Sequence, residues 1–137
     1  MITTGITEHK PPNAAVGAGT AWVSEARNLA GQWADAEGFP AEVIEDVRLV
    51  ASELVANAVE HAAGSEGVLL RLYRCDVGAT VEVWDALGAK RPKVMVPDLL
   101  NESGRGMAIV EALSYKWDVN PLANGGKAVW AVIEGGE

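Results

Sequence analysis

Glu53-Leu54-Val55-Ala56-Asn57-Ala58-Val59-Glu60-His61 and, farther along, Glu102-Ser103-Gly104-Arg105-Gly106-Met107 are the two stretches on which the reading of this chain turns. In the first, a carboxylate, an amide and an imidazole recur every four residues. On a helix that spacing projects all three from one side, with neighbours about 6 Å apart along the axis. In the second, glycines lead straight into a helical pattern, which is how a chain offers backbone N–H groups to an anion. Together they imply a nucleotide site: a helix bearing a base and a metal-directing amide, and a loop that cradles phosphate.

Working outward from the first stretch, Val43, Val47, Val50, Leu54 and Ala58 recur at steps of three and four. This is the stripe of a helix packed on a core, and Glu53, Asn57 and His61 lie beside it. Pro40 suits the first turn of that helix. A preceding helix is expected over 21–37, N-capped by Thr20 and ended by Gly38. Its inner face would carry Trp22, Ala26, Leu29, Ala30 and Trp33.

Strands are expected over 68–74 and 79–85, joined by a tight turn at Asp76-Val77-Gly78, with Val81 and Val83 alternating against Glu82 and Trp84. Residues 86–104 read as a long irregular loop, of a length that in a small domain usually carries function. A helix follows over 105–114, then a strand over 117–120, a turn at Asn124-Gly125-Gly126 and a closing strand over 127–134. The fold class is α/β: a two-layer sandwich of a mixed, mostly antiparallel sheet with helices on one face. Residues 1–17 form an N-terminal segment in which Ile2, Thr4 and Ile6 allow an edge strand and Pro11-Pro12-Asn13 marks a turn. Residues 18–137 form one domain.

Composition narrows the function. The 137 residues carry a net charge of −8, which repels a nucleic-acid backbone over most of the surface and is compatible with a protein partner, especially one with a basic patch. No apolar run reaches a membrane span, and residues 1–9 lack the pattern of a signal peptide. The single cysteine, Cys75, forms no intramolecular disulfide and reads as a packed strand residue. A cytoplasmic location fits. Most of the five tryptophans are expected to be core or half-buried anchors, with one or two marking a partner surface.

Each site residue also has a bland reading. Glu53, Asn57 and His61 match an ordinary solvated helix face, and His61 suits a helix C-terminus. Asp85, at the end of an apolar strand, is placed to accept a hydrogen bond from an exocyclic amine such as that of adenine, but on the residues alone the better reading is a turn-initiating aspartate. Glu42, Glu45 and Asp46 near a helix start are favoured by the helix dipole alone. The glycine segment is neither a P-loop nor a Rossmann fingerprint.

Taken in order, Glu-Leu-Val-x-Asn-Ala-x-x-His, two strands ending at Asp85, a variable loop, Ser-Gly-Arg-Gly-Met-x-Ile-Val and Gly-Gly-Lys before a last strand resemble the GHKL ATPase and kinase superfamily. More narrowly, residues 18–134 are similar to small anti-sigma factor serine/threonine kinases of the actinobacterial type. The resemblance implies an ATP site in which Glu53 is the general base and Asn57 holds Mg²⁺. Asp85 would bind the adenine amine. Gly88, Ser103, Gly104, Arg105, Gly106, Met107 and Lys127 would complete the nucleotide contacts, with residues 88–104 as a lid.

It further implies phosphorylation of a serine on an anti-anti-sigma protein, sequestration of a sigma factor, and a homodimer, with no direct nucleic-acid or membrane partner. The chain departs from the family pattern at Leu87, where the Asp-x-Gly-x-Gly box has its first glycine. It departs again at Glu102, where an arginine is common, and at Ala128, where many relatives carry threonine. Those departures motivate the alternative of a non-catalytic binding module with weak or no nucleotide binding. A detached ATP-binding domain of a histidine kinase is a third reading; it would be expected with a preceding helix pair bearing a phospho-acceptor histidine.

Overall fold

Helix α1 (Thr20–Ala36) and helix α2 (Ala41–His61) are joined by a turn that the sequence dictates closely. Gly38 adopts φ +85°, and its N–H reaches the Asp35 carbonyl while the Phe39 N–H reaches that of Ala34. This is the Schellman arrangement, which needs a residue without a Cβ at its left-handed position. Pro40 then starts α2, its carbonyl accepting from the Ile44 N–H at 3.0 Å. The computed structural model describes residues 13–61, 67–85, 104–121 and 126–135. The Ile2–Ile6 alternation and the long loop therefore lie largely outside the described residues.

The strands are β1 (Asn13–Gly17), β2 (Val68–Arg74), β3 (Gly78–Asp85), β4 (Lys116–Pro121) and β5 (Lys127–Glu134), and helix α3 (Gly104–Leu113) precedes β4. They form one sheet in the order β1-β2-β3-β5-β4, every neighbour antiparallel, so the mixed character allowed by the sequence is absent among the described residues. Asn13, expected in a turn, instead opens β1, because it pairs with Leu72 on β2. The β2–β3 turn is held by the Cys75 N–H on the Gly78 carbonyl at 2.8 Å, and the Gly78 N–H meets Cys75 Sγ at 3.4 Å. Cys75 thus serves the turn rather than the strand. A Cβ on Gly78 would lie 2.2 Å from the Ile133 carbonyl oxygen, so only glycine fits there.

One face of the sheet meets the helices among the described residues. Leu70, Val81, Val83, Val129, Ala131 and Ile133 pack against Trp22, Ala26, Val47, Val50, Leu54, Met107 and Val110. Val47, Val50 and Leu54 are at most 2% exposed, and burying each contributes about 1.5–3 kcal/mol. Trp22 fixes α1 to β2 by donating from Nε1 to the Val68 carbonyl at 3.0 Å. At the other end of α1, Arg74 donates to both a carboxylate oxygen and the carbonyl of Glu37, and stacks over Phe39 at 4.2 Å. Leu29, expected inward, is 38% exposed. It borders a pocket of about 190 Å³ with Ala14, Ala15, Leu70 and Leu72, at the open edge where α1 passes β1.

The opposite face is not a plain solvated surface. Cys75, Ala128, Trp130 and Val132 form a second cluster with Trp84 and Val77 against it. Glu82 is fully buried on that face. It accepts from Tyr73 Oη at 2.8 Å, from Trp84 Nε1 at 2.9 Å and from the Arg71 guanidinium, which also lies over the Tyr73 and Trp84 rings. A buried carboxylate needs such partners, and here cross-strand neighbours supply them. All five tryptophans are buried or half-buried, as expected.

Candidate functional site

Strand register brings Asp85 and Lys127 together at one end of the sheet, and a separate contact joins Asn57 to the start of α3. β2 starts where β3 ends, since Leu69 pairs with Trp84, and β5 starts opposite that same end, since Lys127 pairs with Asp85. α2 runs toward this end before the chain enters β2. The N-terminus of α3 is brought to α2 by a direct contact: Asn57 Nδ2 donates to Met107 Sδ at 3.1 Å. Asn57 is 6% exposed, the least accessible polar residue of its motif among those described, which is not the behaviour of a solvated helix face.

Glu53 sits one turn before Asn57 and is half-buried, while the side chain of His61 lies outside what is described. Residues 104–106 open α3, so the glycine-rich segment does run directly into a helix N-terminus, the location where unsatisfied N–H groups and the helix dipole favour an anion. Met107, included among the nucleotide contacts by resemblance, is 1% exposed; its packing in the core and its bond to Asn57 set the position of α3's first turn. Gly88, Ser103, Leu87 and Glu102 lie outside the described residues, as does the proposed lid up to residue 103.

Asp85 and Lys127 form the charged part of the site. Lys127 Nζ lies 3.5 Å from Asp85 Oδ2, with side chains 5% and 1% exposed. By strand alternation both belong to the face that carries Val83 and Val129, the helix-covered one. Ala128 belongs to the other face, beside Trp130 and Val132. A side chain at 128 therefore points away from the Asp85–Lys127 pair. The pocket beside Leu29 shares no residue with this set and is lined only by apolar side chains.

The pairing of Asp85 with Lys127 was missed in the sequence, although a signal existed. Aligning the ends of two antiparallel strands over 79–85 and 127–134 puts residues 85 and 127 opposite each other. The Glu82 network was missed for a similar reason: Arg71, Tyr73, Glu82 and Trp84 share a face only once β2 and β3 are in register.

The described residues offer a buried acceptor at a strand end with an ammonium beside it and, separately, a helix start that follows a glycine-rich segment. Among the described residues no three His, Cys, Asp or Glu side chains gather to hold a metal alone. A divalent cation would take one neutral oxygen from Asn57 and the rest from phosphate and water, which is the habit of Mg²⁺.

Comparison with known families agrees with the fold. Residues 17–133 match the family described as histidine kinase-like ATPase domain, and the chain belongs to it. This is the GHKL type of ATP-binding domain, of which an antiparallel sheet covered by helices on one face is the expected form. No curated protein matches the chain. No described helix is long and apolar enough to cross a membrane.

Proposed function

We propose that the chain is an ATP-dependent serine/threonine protein kinase that acts as an anti-sigma factor. It phosphorylates a serine of an anti-anti-sigma protein and, in the alternative complex, sequesters a sigma factor. The observation that carries the nucleotide part is the Asn57–Met107 contact, which brings the buried amide of α2 to the glycine-rich start of α3. The kinase subtype rests on the order of motifs in the sequence.

Bound Mg·ATP would supply the transferable phosphoryl group, with its charge neutralised by the cation. Asn57 would hold the cation through its oxygen. Backbone N–H groups of residues 104–106, with Ser103 and Arg105, would face the phosphates. Asp85 would accept from the base amine, with Lys127 beside it and Gly88 near the base. Glu53, half-buried one turn from Asn57, would accept the serine proton. The net charge of −8 supports a protein rather than a nucleic acid as partner. We place the protein in the cytoplasm as a homodimer.

Labelled ATP incubated with the chain and a panel of anti-anti-sigma proteins tests the proposal. Phosphoserine on one of them, lost in Glu53→Gln, is the expected result. ATP binding without any transfer refutes the kinase role.

The non-catalytic module keeps one observation in its favour: Asp85 Oδ2 already faces an ammonium, so a base amine meets an engaged carboxylate. A melting curve with millimolar Mg·ATP separates the two, since binding raises stability by about 2.7 kcal/mol at a hundredfold excess over Kd, whereas the module gives no shift.

A further inference from the structure

A buried side-chain contact joins α2 to α3: Asn57 Nδ2 donates to Met107 Sδ at 3.1 Å, with the two residues 6% and 1% exposed. A thioether carries no proton and can only accept. It therefore faces the nitrogen end of the amide; against the oxygen, acceptor would meet acceptor. The two ends of a primary amide have nearly the same shape, so packing alone does not tell them apart, whereas an acceptor-only neighbour does. No described residue donates to the Asn57 oxygen.

We propose, on the footing that Asn57 holds the cation of a bound nucleotide, that Met107 is the positioning residue for that amide. The sulfur engages the nitrogen and leaves the oxygen as the end that can ligate. A hard cation such as Mg²⁺ takes only that oxygen. The amide rotated by half a turn presents N–H groups to the cation and does not bind it. Met107 acts through Asn57 and not by touching the nucleotide. This differs from the direct contact implied by resemblance and agrees with its place in the main core.

A purely structural role suits the pair less well. Packing α3 on α2 needs only apolar side chains, and the surrounding core has them, Leu54 and Val110 among its members. A buried amide has to be desolvated, and sulfur is a weak acceptor that offsets little of the cost. Methionine is, even so, the acceptor that a core tolerates. Its side chain is apolar and adaptable, whereas a carboxylate or carboxamide at 107 would itself need partners. What this pair provides, and an apolar pair does not, is a fixed orientation of one polar group.

The experiment is a calorimetric titration of the full chain with Mg·ATP. It is run on wild type, Met107→Leu, Asn57→Ala and the double variant, each checked for native circular dichroism. Met107→Leu keeps the apolar volume and removes the acceptor. It is expected to weaken Mg·ATP binding about three- to tenfold, the scale of one neutral hydrogen bond, because apparent affinity falls with the fraction of protein in the competent rotamer. In the Asn57→Ala background the same substitution is expected to change affinity by less than about twofold, since no amide remains to be oriented. A packing role of Met107 acts alike in both backgrounds.

Should Asn57→Ala bind too weakly for direct titration, its affinity and that of the double variant are read by displacement of a fluorescent ATP analogue. Should Met107→Leu not fold, norleucine in place of the methionines removes the sulfur at unchanged chain length. Equal losses in the two backgrounds, or wild-type affinity in Met107→Leu, overturn the role of Met107 while leaving the nucleotide site standing. Wild-type affinity in Asn57→Ala overturns the cation role on which the inference rests. Failure of the wild type to bind Mg·ATP overturns the nucleotide reading itself, and this inference with it.

Discussion

Replacing Asn57 by alanine separates the two things the residue does. Structurally it loses one bond, Nδ2 to Met107 Sδ, which crosses from α2 to α3. Sulfur is a weak acceptor, so the net cost is about 1 kcal/mol. For a domain of this size that lowers Tm by about 4 °C. Under the proposed function it also loses the oxygen assigned to the cation. At a Mg·ATP concentration a hundredfold above Kd, wild type gains about 2.7 kcal/mol, near 10 °C in Tm. If the variant binds a hundredfold more weakly, the same concentration yields about 0.4 kcal/mol, little more than 1 °C. The assay is therefore four melting curves, each protein with and without Mg·ATP. The small drop without ligand measures the helix contact, and the missing rise with ligand measures the cation role. A variant that melts about 4 °C lower yet keeps the full ligand-induced rise refutes the reasoning, because Asn57 would then be only a packing residue.

Other perturbations test the frame around the site. Gly78→Ala forces a Cβ against the Ile133 carbonyl and is expected to destabilise the fold by about 1–3 kcal/mol or more in urea unfolding. Glu82→Gln weakens the charge-assisted bond to Arg71 and is expected to cost about 2 kcal/mol. Because Glu82 faces away from the helices, the nucleotide affinity of that variant is expected to match wild type in calorimetry. The Asp46 carboxyl is raised above its ordinary range by burial and then by the charges of Glu42 and Glu45. The folded state thus binds this proton more readily than the unfolded state, so stability rises as pH falls from the raised value toward the ordinary carboxylate value. Asp46→Asn is accordingly expected to melt above wild type at pH 7, with the gap closing under acid.

What the sequence revealed and what it hid divide along a physical line. The stripe Val43, Val47, Val50, Leu54 and Ala58 was legible because helical periodicity is local, and every member is buried. Gly38 and Pro40 were legible because their backbone restrictions act within a few residues. Asp85 and residues 104–106 were placed correctly at element ends for the same reason. Leu29 was not, because its exposure depends on how far β1 extends beneath α1 at the sheet edge. The alternation of Glu82 and Trp84 against Val81 and Val83 was legible, but not that their face is packed by residues from β2 and β5, which needs the register of three strands. Asp85 and Lys127 are 42 positions apart, and only strand register brings them together. Ala128 stood out as a departure from the family pattern, and the pleat sends it to the face opposite Lys127.

Amide chemical-shift mapping of the isotopically labelled full chain during titration with Mg·ATP tests the central claim most directly. The account predicts saturable shifts concentrated at Asn57, Asp85, Lys127 and residues 104–107. Shifts centred instead on Glu82, Trp130 and Val132, or none at millimolar Mg·ATP, contradict it.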